Sequence, residues 1–204
     1  MSPEVSALIE KMSALQAELD AAMAKRRAEL RVGLEKGRVA FEAELLRRHA
    51  ELKTALSTYI WNAPLLVILT APFIYALIVP LVLLDIFVTV YQAVCFPVYG
   101  IVKVKRADYF VFDRHHLAYL NAIEKLNCAY CSYANCLLAY VREIAARTEQ
   151  YWCPIKHARR MVGVHARYAS FDDYGDAEGY QARLVRLREA LARDEEKKDV
   201  APAT

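Results

Sequence analysis

A chain of 204 residues is one domain by length, but its charge is too unevenly spread for a single globule. Between Lys53 and Lys103 the only charged residue is Asp85, and the flanks hold nearly all of the 27 basic and 24 acidic side chains. A formal net charge of +3 is too small to imply a nucleic-acid partner, and none is expected. The first apolar run begins near residue 59 behind a long charged segment, so no secretory signal peptide is expected ahead of it.

Residues 1–58 read as an amphipathic, coiled-coil-like helix. Leu8, Met12, Leu15, Leu19 and Ala22 recur at alternating spacings of four and three, and after a phase shift near Arg26 the stripe resumes at Leu30, Leu34, Phe41, Leu45, Leu52 and Leu56. The other faces are Glu, Lys and Arg. Gly33 and Gly37 weaken the middle and mark a bend. A stripe this narrow predicts self-association or a partner helix, against the alternative of a helix folded back on its own C-terminal part.

Residues 59–102 form the apolar block. One helical pass needs ~20 apolar residues to cross ~30 Å of hydrocarbon, whereas this block would extend roughly 66 Å as one helix. Two passes are therefore expected, as a helical hairpin turning near Val79–Pro80–Leu81. That turn places Asp85 close to the far interface, where a carboxylate costs less than at mid-bilayer. Arg47, Arg48 and Lys53 precede the block, and Lys103, Lys105, Arg106 and Arg114 follow it, so both termini are expected in the cytoplasm. Tyr59, Trp61, Tyr91 and Tyr99 suit an interfacial aromatic belt. A re-entrant hairpin would leave the flanks on the same side as well.

Residues 103–168 read as a small Cys-rich helical domain. Asp113 is a candidate N-cap for a helix starting at Arg114, with an interruption expected in NCAYCSYANC (127–136) because Asn127 and Asn135 are poor helix-interior residues. Pro154 suits the first position of a further helix, with Cys153 as its cap. Residues 169–204 read as an acidic loop that fails the EF-hand pattern, a helix carrying Leu184, Leu187 and Leu191, and a disordered tail from Lys197.

Candidate chemistry rests on Cys128-x-x-Cys131 and on Cys153-Pro-Ile-Lys-His157. Three thiolates and an imidazole make a common tetrahedral zinc set, and a Cys followed by Pro also suits an Fe–S cluster. In a reducing compartment these thiols stay free to bind metal. The spacing sets a condition: were residues 132–152 one straight helix, Cys131 and Cys153 would stand ~33 Å apart, and one ion would need two subunits. An antiparallel return after Pro154 would instead bring His165 to Cys128 and Cys131, or Cys153 and His157 to His115 and His116. The competing reading makes these cysteines small buried hydrophobes. The run Lys156, His157, Arg159, Arg160 and Arg167 is either a solvated helix face or a contact for anionic head groups. P-loop, Rossmann, GxSxG, HExxH and paired Glu-x-x-His motifs are all missing, which leaves no readable catalytic set.

DRHHLAYLNAIEKLNCAYC (113–131) and RTEQYWCPIKHARR (147–160) resemble segments of bacterial inner-membrane proteins. The resemblance covers roughly a quarter of the chain. It implies the bacterial cytoplasmic membrane and carries no activity with it. The expectation is thus an all-α membrane protein: an oligomerising N-terminal helix, a two-pass hairpin and a Cys/His domain holding Zn or an Fe–S cluster through Cys128, Cys131, Cys153 and His157. Its expected function is a membrane-anchored scaffold or assembly factor with the lipid bilayer and a second copy or partner helix as partners. The alternatives are a membrane-bound redox or metal-dependent enzyme and a membrane-shaping hairpin.

Overall fold

The structure, a computed structural model, describes residues 3–29, 32–35, 38–41 and 43–193. These residues are mostly helical. In chain order they form α1 (Pro3–Glu29), β1 (Val32–Glu35), β2 (Arg38–Phe41), α2 (Ala43–Glu51), α3 (Leu56–Trp61), α4 (Leu65–Ala76), α5 (Ile78–Tyr99), α6 (Ala122–Trp152) and α7 (Tyr180–Ala192), with short 3-10 turns between some of them. The chain divides into two compact units, residues 1–68 with 112–130 and residues 69–111 with 131–204. The tail expected to be disordered from Lys197 lies outside the described residues.

In the first unit the expected single helix over residues 1–58 is corrected. The helix ends at Glu29, and an antiparallel hairpin follows, with Val32 opposite Phe41 and Glu35 opposite Arg38. The alternation Val32, Leu34 and Val39, Phe41 is a period-2 pattern, which suits a strand better than a helix. In α1 the stripe of Leu8, Met12, Leu15 and Leu19 is fully on the surface, each 59 to 69% exposed. The start of α6 is also corrected. Residues 114–116 make only a 3-10 turn, and Asp113 forms no side-chain cap. The cap is Asn121: its Oδ1 accepts from Glu124 N–H at 3.0 Å, while Glu124 Oε2 accepts from Asn121 N–H at 2.8 Å. This reciprocal pair satisfies two otherwise orphaned donors of the first turn.

In the second unit α5 ends at Gly100, whose φ of 65° is left-handed, and Ile101 N–H closes back onto Phe96 O at 2.9 Å. Glycine is the residue that adopts this conformation without a Cβ penalty. The chain then lays Ile101 and Val104 against α5 and α6, where they join Phe96, Leu137, Tyr140, Ile144 and Leu191 in the core. Gln92 stitches the layers together: its Oε1 accepts from Val104 N–H at 2.6 Å and its Nε2 donates to Tyr140 Oη at 2.9 Å. α6 runs without the interruption expected at residues 127–136. Asn135 is tolerated because its amide donates to Cys131 O, one turn back, at 2.9 Å. The helix expected from Pro154 is absent: Ile155 forms a parallel bridge with Asp172, and residues 156–164 are irregular. α7 follows the expected pattern, with Leu184 and Leu191 buried.

Among the described residues one helical stretch, Leu65–Tyr99, is long and apolar enough to cross a membrane, with a mean hydropathy of 2.6 over its best window. It is broken only at Leu77, which keeps a right-handed helical conformation (φ −64°, ψ −13°). Pro80, where the chain was expected to turn back, sits in the first turn of α5, a place that tolerates a missing N–H.

Candidate functional site

Asp85 stands in the first half of α5, in the apolar block but not alone. Arg106 Nη1 and Nη2 donate to its two carboxylate oxygens at 2.5 and 2.7 Å, Tyr133 Oη donates at 3.0 Å, and Thr89 Oγ1 lies at 3.4 Å. The Asp85 side chain is 14% exposed. The guanidinium also lies 3.8 Å from the centre of the Phe110 ring. Its hydrogen bonds to Asp85 hold Arg106 above its ordinary pKa. Burial, followed by the Asp85 carboxylate, pushes the Tyr133 phenol up as well, so it remains a donor. This cluster meets the cost of a carboxylate in an apolar helix with a bidentate partner from a distant part of the chain.

A second charged cluster lies further along α6. Glu143 Oε1 accepts from Arg147 Nε at 2.9 Å and from Arg167 Nη2 at 2.8 Å, and Arg167 Nη1 donates to Gln150 Oε1 at 3.0 Å. Arg147 is buried and its Nη1 donates to Val102 O at 2.6 Å. Burial pushes the Glu143 carboxyl up, but the hydrogen bonds and charges of Arg147 and Arg167 outweigh it and leave its pKa below the ordinary 4.5. Arg167 therefore belongs to an internal ion-pair network and not to the basic run in which the sequence placed it.

The four expected metal ligands are not brought to one ion within a chain. Cys128 and Cys131 lie on the first half of α6, Cys131 exposed, and Cys153 follows its last residue. Because the helix is unbroken, Cys131 and Cys153 are ~33 Å apart along it. Exposure of Cys131 and Cys153 also argues against the buried-hydrophobe reading for those two. The His157 ring stacks towards Tyr168, and the Tyr168 hydroxyl accepts the backbone N–H of His157 at 2.6 Å. His165 does not approach Cys131; its Nε2 lies 2.8 Å from Glu149 Oε2, between the rings of Tyr168 and Phe171. The His115 and His116 rings are 3.8 Å apart on a 3-10 turn of the first unit.

An apolar groove of about 430 Å³, without a local signal in the sequence, lies between α5 and α6, bounded by Val88, Tyr91, Val141, Ala145, Thr148 and Trp152, with Glu149 and Cys153 at one end. Its polar wall atoms pair with one another. Tyr91 Oη and Thr148 Oγ1 are 3.0 Å apart, and Thr148 Oγ1 donates to Ile144 O at 2.9 Å. On α5, Val79, Val82, Leu83, Ile86, Phe87, Val90, Val94 and Val98 form an exposed apolar row, while Gln92 and Phe96 on the other face are buried. A helix apolar on every face, with a covered side and an open one, was legible only as a membrane span; which side is covered depends on partners far along the chain.

No protein-family model, curated protein or solved structure matches this chain.

Proposed function

We propose that the protein is a membrane-anchored scaffold or assembly factor of a bacterial cytoplasmic membrane. The observation that carries this reading is the exposed apolar row of α5, continued in α4 by the exposed side chains of Leu65, Leu69 and Phe73. Exposed apolar area on that scale is stable in lipid and a liability in water. The open Leu8–Leu19 stripe of α1 supports the scaffold half of the proposal, because it offers a seam for a second copy or a partner helix. Retention in the membrane pellet after alkaline carbonate washing tests the anchor, and release into the wash would remove it. Zinc or an Fe–S cluster on Cys128, Cys131, Cys153 and His157 would need ligands from two chains, so the metal-binding part of the proposal is tied to oligomerisation.

The basic flanks favour both termini on the cytoplasmic side, through a hairpin or re-entrant path. A second topology is favoured by one observation. Leu65–Leu84 is an uncharged run of 20 residues with none buried, the length of one ~30 Å crossing. It ends at the Asp85–Arg106 pair, where a single pass would leave the hydrocarbon and set the two flanks on opposite sides.

A further inference from the structure

We propose that the α5–α6 groove holds one acyl chain of a bilayer phospholipid. The inference rests on the membrane reading above and goes beyond it by giving the second unit a lipid site of its own. Val88 and Tyr91, which form one wall, belong to the same apolar stretch that is able to cross a membrane, so the groove opens on the surface where lipid chains would lie. Phe87, Val90 and Val94 carry that exposed apolar surface on past the groove's own wall. The volume of about 430 Å³ falls within the range of small-molecule sites. Hydrocarbon suits the walls because the Tyr91, Thr148 and Ile144 polar atoms are already bonded to one another, so an apolar occupant strands none of them. Glu149, paired to His165, lies at one end beside the exposed Cys153, so its charge is already partnered and the lining offered to an occupant is apolar. Water in the same groove would face apolar walls without the two to four partners that an ordered water requires.

The chain has two tryptophans, and Trp152 lines the groove. Trp61→Phe leaves Trp152 as the sole indole reporter. Full-length Trp61→Phe protein in maltoside micelles is titrated with phosphatidylcholine brominated on its acyl chains, and Trp152 emission is followed. The proposal expects saturable quenching that levels off at one lipid per chain. Ala145→Phe places a ring in the groove from an exposed position and should weaken that binding about tenfold or more, since several methylene contacts are lost. Native mass spectrometry provides a second readout: a phospholipid adduct on the wild-type chain that is missing from Ala145→Phe, with unchanged helical circular dichroism. Quenching that rises linearly without saturation, or that survives Ala145→Phe, overturns the site. If Ala145→Phe instead dissociates a dimer and leaves quenching unchanged, the groove's occupant is a second copy and the lipid proposal falls. Carbonate extraction separates the two readings: a chain that stays in washed membranes but shows no saturable quenching loses the groove alone, and a chain that washes out loses the anchor.

Discussion

Arg106 grips both carboxylate oxygens of Asp85, 21 residues away along the chain, and so closes the segment after Gly100 onto the first half of α5. The pair has unequal exposure, 43% for the Arg106 side chain and 14% for that of Asp85, so removing either partner has a different consequence. Arg106→Ala leaves the less exposed carboxylate with only Tyr133 and Thr89 and should cost about 1–3 kcal/mol, reduced by the solvent that still reaches the site. Asp85→Asn keeps the shape and leaves the more exposed guanidinium free to hydrate, so it should cost less. Chemical denaturation of both single variants and the double variant checks this. A double variant no better than the sum of the singles would show that the two side chains do not interact.

Glu143 gives the second unit an acid sensitivity of defined sign. Its pKa is lower when folded than in the unfolded chain, so the stabilisation is fully present above the ordinary carboxylate value of 4.5 and is lost as pH falls through the lower folded value. Thermal unfolding measured from pH 7 down to pH 3 should therefore show a fall in midpoint that begins below about pH 4.5. Glu143→Gln should be less stable at pH 7 and should flatten that part of the profile. An unchanged profile in Glu143→Gln would assign the acid sensitivity to other carboxylates.

Much of this architecture was legible where the signal is local. The four-and-three spacing gave α1, the apolar run gave the helical stretch long enough to cross a membrane, and Leu184 with Leu191 gave α7. Other local signals were present and outweighed. Asn121-x-x-Glu124 is a stronger helix start than Asp113, and the alternation across residues 32–41 was absorbed into a longer helical stripe. The partners of Asp85 and Gln92 had no local signal at all, since Tyr133 and Tyr140 each lie 48 residues on. Spacing could pair Cys128 with Cys131, but the distance to Cys153 depended on whether α6 continued past Asn135, whose amide bonds back to Cys131 O within the unbroken helix.

The α1 stripe predicts association in the intact protein. Leu15 and Leu19 are exposed at 64 and 59%, so replacing both by Lys disturbs no packing within the first unit. In an oligomer it would bury charges without partners, at a cost of several kcal/mol. Mass photometry of the detergent-solubilised double variant should show a smaller particle than wild type, while its helical circular dichroism stays that of wild type. An identical particle mass would leave α1 without a role in assembly.

The length of α6 predicts how metal content depends on assembly. Within one chain Cys131 and Cys153 are too far apart to share an ion, so the monomeric Leu15→Lys, Leu19→Lys variant should bind no stoichiometric zinc through that four-residue set. Elemental analysis of monomeric and oligomeric fractions, each with and without Cys131→Ser, makes the comparison. Zinc present only in the oligomer and lost in Cys131→Ser supports a shared centre. Zinc that persists in the monomer and disappears in both Cys131→Ser and Cys153→Ser would contradict the unbroken helix.

The two topologies differ in a single measurable way, which side of the membrane each unit faces. With the five natural cysteines replaced, Ala7→Cys reports on exposed α1 and Ala177→Cys on the exposed loop before α7. A membrane-impermeant maleimide added to intact cells reaches only cysteines outside the cytoplasmic membrane. The basic flanks predict that neither position is labelled until the membrane is opened. One crossing by Leu65–Leu84 predicts that one of the two is labelled in intact cells. Arg106 adds a finer test of the second case. In a single pass the Asp85–Arg106 pair marks the edge of the hydrocarbon, so a cysteine at Phe87 should react with the maleimide or be quenched by shallow lipid labels. A cysteine at Phe73, also exposed in α4 but eleven residues nearer the middle, should do neither. Equal burial of the two positions, with both termini protected, would instead favour the in-plane or re-entrant arrangement, in which α4 and the open row of α5 lie at similar depth.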